Sequence, residues 1–544
     1  MANPIDSFTQ RIPVEILLSF FSECVPPPTR DNPGPAVSYS HPLIVLSHVS
    51  RTWRELALET PALWSRMHVK TPSASTFSNG PPEMCTVKAD RSRAALTTWI
   101  ERSAEQPLTI VLDLPSYSQA QLYKEAWSKE ICEDVLEQLF LCASRWKRLH
   151  INLSIVASSP LFIQACNSLP ANGLLKLEFL AINLTSAGAS PAMIGSVPGR
   201  LLAGGLFSGP SLRRVSLEGR WMMNHKLGVA VQGWAPLTDL EITPSTNASG
   251  THFGVSNLPY LFKAFPLLQN AKFLFQQSEP TPEVVNPTEP IVLPRLKSLY
   301  LGGQAMGPAL ARSLVLPSLQ VLFLVFEISQ SSARSGMLDY DKCILEFLQR
   351  FGAQLTSFGI NHDILLPPSF PSYLNMLDNA RLESLSLINN SFPQRQTEPG
   401  PFSSILRGDQ DCRVLAHLAK PGVFPGLKHL EMSARSRNCE TALADVIAAR
   451  RRWTRTVKNQ CSQVRTEVCS VVGYEAENEI QPNTTIPIED VHVTFTRPRG
   501  SSVIQELRDR GVDLTSGPFS IRLNYPESCG VMVERTLGSR AYSS

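Results

Sequence analysis

The sequence predicts an α/β protein, with a small helical domain at the N-terminus followed by an irregular repeat array built on a curved parallel sheet. Residues 12–69 carry many large apolar side chains at helical spacing, in segments too short to bury them all. Behind them the hexad Leu-x-x-Leu-x-Leu, with apolar substitutions, recurs nine times in chain order. The chain has 544 residues, 43% of them hydrophobic and 18% charged, which is too long for one compact core unless it is an elongated array.

In the first segment, Ile12, Ile16, Leu17, Phe20, Phe21 and Cys24 share one stripe of a helix. Pro13 suits its first turn, and Glu15 favours the positive end of the helix dipole. A second helix places Leu46, Val49, Trp53, Leu56 and Ala57 together, leaving Arg51, Arg54, Glu55 and Glu59 largely on the other face. Thr60-Pro61 opens a third, short helix holding Leu63 and Trp64. Three helices of this length leave apolar surface for a partner to complete.

The run Ile-Pro-x-Glu-Ile-Leu, then Leu-x-x-Val-Ser-Arg-x-Trp-Arg-x-Leu-Ala and Thr-Pro-x-Leu-Trp, resembles the F-box of fungal F-box proteins across roughly the first 70 residues. It departs from the shorter animal-type pattern by Ile12 in place of the usual Leu and by the loop PPPTRDNPGPAVSYSHP between the first two helices. The resemblance implies docking on the Skp adaptor of a cullin-RING ubiquitin ligase. The residues expected to carry that contact are Ile12, Pro13, Ile16, Leu17, Phe20, Val49, Trp53, Leu56 and Trp64.

The helical domain is expected to span 1–70. Residues 71–89, rich in Pro, Ser, Thr and Gly, follow as a linker, and the repeats occupy 90–500. From Asp90 a helix turns Leu96, Trp99 and Ile100 inward before a strand with Ile110, Leu112 and Leu114. A longer helix carries Leu122, Trp127, Ile131, Val135, Leu139 and Cys142, and a strand with Leu149, Ile151 and Leu153 follows. The nine hexads begin at Leu177, Leu212, Leu237, Leu268, Leu296, Leu319, Leu355, Leu382 and Leu427. Pro-x-Leu precedes four of them, at Pro210, Pro294, Pro317 and Pro425, and predicts a sharp turn into each strand.

Strand-plus-return units cannot bury their own apolar faces, so they stack. The array resembles the leucine-rich-repeat region of F-box proteins, here as an irregular leucine-rich-repeat-like solenoid whose period drifts from about 23 residues to well over 30. A helix over 440–459, including Arg450-Arg451-Arg452 as a solvated face, and a strand with Val491, Val493 and Phe495 close the array. Residues 501–544 are left as a tail or cap.

Side chains alternate along a strand, so the residues between the leucines face away from the core. In order these are Ser216, Glu241, Lys272, Tyr300, Phe323, Gly359, Ser386 and Glu431, with Asp239, Ser298 and Val321 beside them. Tyr300 and Phe323 fall on neighbouring strands and can form one aromatic patch. With Glu241 and Lys272 they are the candidate target-binding residues.

A net charge of +3 is too mild for a nucleic-acid partner. The 11 cysteines are scattered without Cys-x-x-Cys, so neither a disulfide framework nor a zinc site is expected, and the thiols read as reduced. No signal peptide and no membrane-length apolar run are found, so a cytoplasmic or nuclear home is expected. Catalytic motifs are absent. Asn361-His362-Asp363 reads as a loop, because neighbours on a strand or turn point apart. No catalytic residue, metal or cofactor is expected. The expected function is a substrate-recruiting adaptor with an unknown protein target, and its rival is a non-degradative scaffold using the same surfaces.

Overall fold

The computed structural model describes residues 12–25, 32–38, 40–71, 82–114, 126–154, 159–169, 173–185, 200–202, 205–219, 221, 234, 236–243, 258–275, 289–303, 308–326, 336–361, 370–378, 381–388, 411–420, 422–434, 438–451, 488–495, 502–512, 514, 519–526 and 531–537. The chain divides into two compact units, Met1–Thr281 and Pro282–Ser544.

The first unit opens with four short helices: α1 (Val14–Cys24), α2 (Pro42–Ser47), α3 (Arg51–Leu58) and α4 (Pro61–Trp64). The single second helix expected from the apolar spacing is thus two. Ser50 makes the break, because its hydroxyl accepts the Trp53 N–H at 3.1 Å and caps α3. His41 caps α2 in the same way, its Nδ1 accepting the Leu43 N–H at 3.2 Å ahead of Pro42. Leu17, Phe21, Leu43, Ala57, Leu63 and Trp64 make the interior of this helical region.

The chain runs straight from α4 into strand β1 (Arg66–Lys70), which pairs in parallel with β2 (Leu108–Asp113). Then follow β3 (Trp146–Ser154), β4 (Phe179–Thr185), β5 (Arg214–Gly219), β6 (Asp239–Thr243) and β7 (Asn270–Phe275), each parallel to its predecessor and in chain order. Helices Pro82–Arg102, Ala126–Leu141, Ser159–Asn167 and Leu258–Ala264 lie between strands. The helix expected from Asp90 therefore starts at Pro82, inside the stretch read as a linker, because Pro is well placed in a first turn.

The second unit carries β9 (Ser298–Gly303), β11 (Val321–Phe326), β12 (Ser357–Asn361), β13 (Ser384–Ile388), β14 (His429–Ala434), β15 (Asp490–Phe495) and β16 (Ser520–Pro526) as consecutive parallel neighbours. The last strand, β17 (Val531–Leu537), pairs antiparallel to β16. β8 (Ile291–Val292) and β10 (Leu314–Val315) form a separate parallel pair. The segment after residue 501, too aperiodic to place from sequence, thus contributes helix Val503–Asp509 and these last two strands.

All three apolar positions of each hexad are buried, from Leu177, Leu180 and Ile182 to Leu427, Leu430 and Met432. At the Pro-x-Leu sites the leucine N–H closes a β-turn with Pro at its second position: Leu212 to Gly209, Leu296 to Leu293, Leu319 to Leu316 and Leu427 to Phe424. Neighbouring turns are tied together. Ser211 Oγ donates to Leu175 O and Ser318 Oγ to Pro294 O, each at 2.6 Å. Gly219 ends β5 with φ +112°, and a Cβ there would lie 2.1 Å from Leu184 O, so only glycine fits.

Arg450 corrects the reading of the arginine run as a solvated face. It is fully buried, and it donates to Phe424 O at 2.6 Å and Val423 O at 2.5 Å. Arg451 lies 4.2 Å over the Phe519 ring. Arg452 lies outside the described residues, as do Leu122, His362, Asp363 and 72–81 of the expected linker. No helix among the described residues is long and apolar enough to cross a membrane.

Candidate docking and recognition surfaces

The apolar stripe of α1 splits into two faces. Leu17 (4% exposed) and Phe21 point inward, while Ile16 (59%) and Phe20 (48%) stand one turn apart in solvent, with Val14 beside them. Val45 (56%) and Val49 (55%), at and just beyond α2, are also uncovered. Trp53 is half-buried, its ring 5.1 Å from Phe21 edge-on and 5.9 Å from Phe20, so it forms the floor under the exposed Phe20. Pro13 is exposed, and Ile12 and Leu56 are half-buried.

Two of the expected contact residues belong to the interior instead. Leu17 packs beneath α1. Trp64, fully buried, lies edge-on to Trp99 at 4.7 Å, donates from Nε1 to Ala57 O at 2.7 Å and is covered by Arg102 at 4.5 Å. Periodicity identifies an apolar face without saying which part of it the chain covers itself.

A polar seam joins this helical region to the sheet. His68 on β1 bonds Gly34 O through Nδ1 at 3.0 Å and Asp113 on β2 through Nε2 at 2.7 Å, and Asn152 on β3 donates to Asp113 at 2.5 Å. Burial lowers the His68 pKa, but the hydrogen bonds to Asp113 and Gly34 outweigh it and leave the imidazole above its ordinary value. Burial likewise raises Asp113, and its bonds to His68 and Asn152 prevail and hold it below the usual carboxylate range. His41, with burial acting alone, is lowered to about 4, as an imidazole that accepts a backbone N–H requires.

The outward rows of the strands form the second kind of surface. In the first unit Ser216, Glu241 and Lys272 are in register on β5, β6 and β7. Ser216 Oγ donates to Glu241 at 3.1 Å, and Lys272 Nζ sits 2.8 Å from the same carboxylate. One step along the strands, Asn270 donates to Asp239 at 2.7 Å and Arg214 pairs with it at 3.5 Å.

In the second unit Tyr300, Phe323, Gly359, Ser386, Glu431, His492 and Arg522 share one register row from β9 to β16. The Tyr300 and Phe323 rings stack at 5.6 Å and 14°, both half-buried. Phe323 lies across Gly359, where a Cβ would come within 2.1 Å of the ring. Burial first, and then the Glu431 charge, push the Tyr300 phenol up to about 12. Further along, Ser386 Oγ donates to Glu431 at 2.7 Å, His492 Nδ1 is 3.8 Å from that carboxylate, and Asn524 reaches His492 Nε2 at 3.0 Å.

His492 and Asn524 were not among the sequence candidates, although the alternation in DVHVTF puts His492 at an outward position. Among the described residues no group of three or more His, Cys, Asp or Glu side chains could hold a metal ion.

Comparison with known proteins places the helical region. No curated protein matches the chain significantly. The F-box-like family matches residues 9–70, from just before α1 to the last residue of β1. The chain therefore carries an F-box-like domain at its N-terminal end, and that domain includes the first strand of the sheet.

Proposed function

We propose that the chain is a substrate-recruiting adaptor of a cullin-RING (SCF-type) ubiquitin ligase. The F-box-like domain docks on the Skp adaptor and, through it, on a cullin. The sheet faces bind a target protein, as a leucine-rich-repeat-like array. The observation that carries this reading is the F-box-like match over helices that leave Ile16, Phe20, Val45 and Val49 uncovered. The chain catalyses nothing itself in this role. By holding a target beside the transferase it converts a bimolecular encounter into a nearly intramolecular one.

Target recognition is assigned to the outward rows, with the Tyr300–Phe323 stack as its aromatic anchor and Glu241 with Lys272 as a charged site on the first unit. The test is affinity capture of the full chain followed by mass spectrometry. Skp adaptor and cullin recovered together support the ligase role, the adaptor without cullin favours a non-degradative scaffold, and recovery of neither overturns the proposal. In the same experiment Tyr300→Ala with Phe323→Ala is expected to keep the adaptor and lose the target.

A further inference from the structure

The helices that flank β14 bring two thiols together. Cys412 lies in helical residues 411–418, which precede β14, and Cys439 begins helical residues 439–451, which follow it. Their sulfurs are 3.5 Å apart and not joined by a disulfide. Cys412 is partly exposed, whereas Cys439 is fully buried. A disulfide bond is about 2.05 Å long, so the sulfurs need to close by roughly 1.5 Å, a movement within the reach of side-chain rotation.

We infer that Cys412 and Cys439 form a reversible disulfide site driven by a peroxide. The accessible thiol reacts first. The Cys412 thiolate attacks one peroxide oxygen, the O–O bond breaks, and the departing hydroxide takes up the thiol proton as water, leaving a sulfenic acid. The Cys439 thiolate then displaces hydroxide from the Cys412 sulfur, the S–S bond forms, and the Cys439 proton leaves with that hydroxide as a second water. Two thiols lose two electrons, one peroxide gains them, and a dithiol reductant reverses the change. The bond closes a loop spanning 27 positions that contains the whole of β14, so it ties together the two connections on either side of the strand bearing Glu431.

The full-length chain, reduced and then treated with hydrogen peroxide, tests this. Cleavage after Arg407, Arg413, Arg437 and Arg450 separates the two cysteines into peptides 408–413 and 438–450. The expected result is that these two are recovered joined, lighter by two hydrogens than their sum, and separate again after dithiothreitol. The oxidised chain should also melt at a higher temperature than the reduced one, a shift absent from Cys412→Ser. In Cys439→Ser the sulfenic acid at Cys412 should persist long enough for dimedone to trap it. The inference is overturned if both cysteines of the wild-type chain are still fully alkylated after peroxide. It is equally overturned if dimedone labels Cys412 in the wild type as heavily as in Cys439→Ser. The wild-type measurement stands whether or not either variant folds.

Discussion

Arg450 is a buried cation that closes the turn at Val423 and Phe424 from the inside. Phe424 has φ +44°, in the left-handed region that a side chain disfavours, so the turn depends on being held. Burial lowers the guanidinium to about 10, which still leaves it charged at neutral pH. Arg450→Met removes both donors from their carbonyls and is expected to cost about 2–4 kcal/mol, read as a lower urea midpoint; an unchanged midpoint would sink this account. His41 gives a pH test. Its folded pKa lies near 4, below the ordinary 6.5, so the unfolded chain binds the proton more readily. The stability it contributes is present above pH 6.5 and is lost as pH falls towards 4, by up to about 3 kcal/mol. His41→Asn, which keeps a capping acceptor, should flatten that acid slope of thermal stability, and parallel slopes would refute it. His68 runs the other way: its folded pKa is raised, so its contribution is complete below 6.5 and is lost as pH rises through the raised value.

Among the elements, the exposed face of α1 is the one whose surface a partner is proposed to cover. Ile16→Ala with Phe20→Ala removes side chains that the fold leaves about half exposed, so the melting temperature should change little while capture of the Skp adaptor falls at least tenfold. A pull-down that recovers the adaptor at wild-type levels would exclude this face. Much of the strand architecture was legible because the hexads carry a period of two, four of them behind a Pro-x-Leu turn, and the burial of every apolar position follows from that period. The split of α1 into a covered and an uncovered half was not legible, since Leu17 and Ile16 are chemically alike and only the packing of α2 and α3 separates them. Nor was β1, a short strand whose Met67 and Val69 carry no leucine signature. The outward register was readable at Tyr300 and Phe323, but the ring lying across Gly359 was not, because it depends on a rotamer. Gly359→Ala forces the Phe323 ring aside and should change the near-ultraviolet circular dichroism while the chain stays folded; an identical aromatic spectrum would contradict the stack.

At the scale of the whole molecule, the F-box-like domain is built into the first unit and is not hung from it. Its last five residues are β1, whose backbone pairs along its full length with β2. Val37 N–H bonds His68 O at 2.8 Å, which brings the loop before α2 onto the same strand. Trp64 is closed over by Trp99 and Arg102 from the helix Pro82–Arg102, and His41 meets Trp99 edge-on at 5.1 Å. The later part of the stretch expected to separate two domains, from Pro82 on, thus belongs to a helix whose Trp99 and Arg102 cover the domain before it. A docking surface joined in this way moves with β1 and β2, as the proposed adaptor role would require of it. It follows that residues 1–71 alone should not fold. Without β2 and Trp99 the fragment exposes much of Trp64, Met67 and Val69, which are buried in the chain, at a cost of several kcal/mol. That is comparable to the entire stability of a small domain. The fragment is expected to melt without a cooperative transition, whereas residues 1–281, the complete first unit, should melt cooperatively. A sharp transition from the short fragment, with the near-ultraviolet signature of ordered tryptophan, would show that the domain is autonomous and that the seam at β1 merely rests against it.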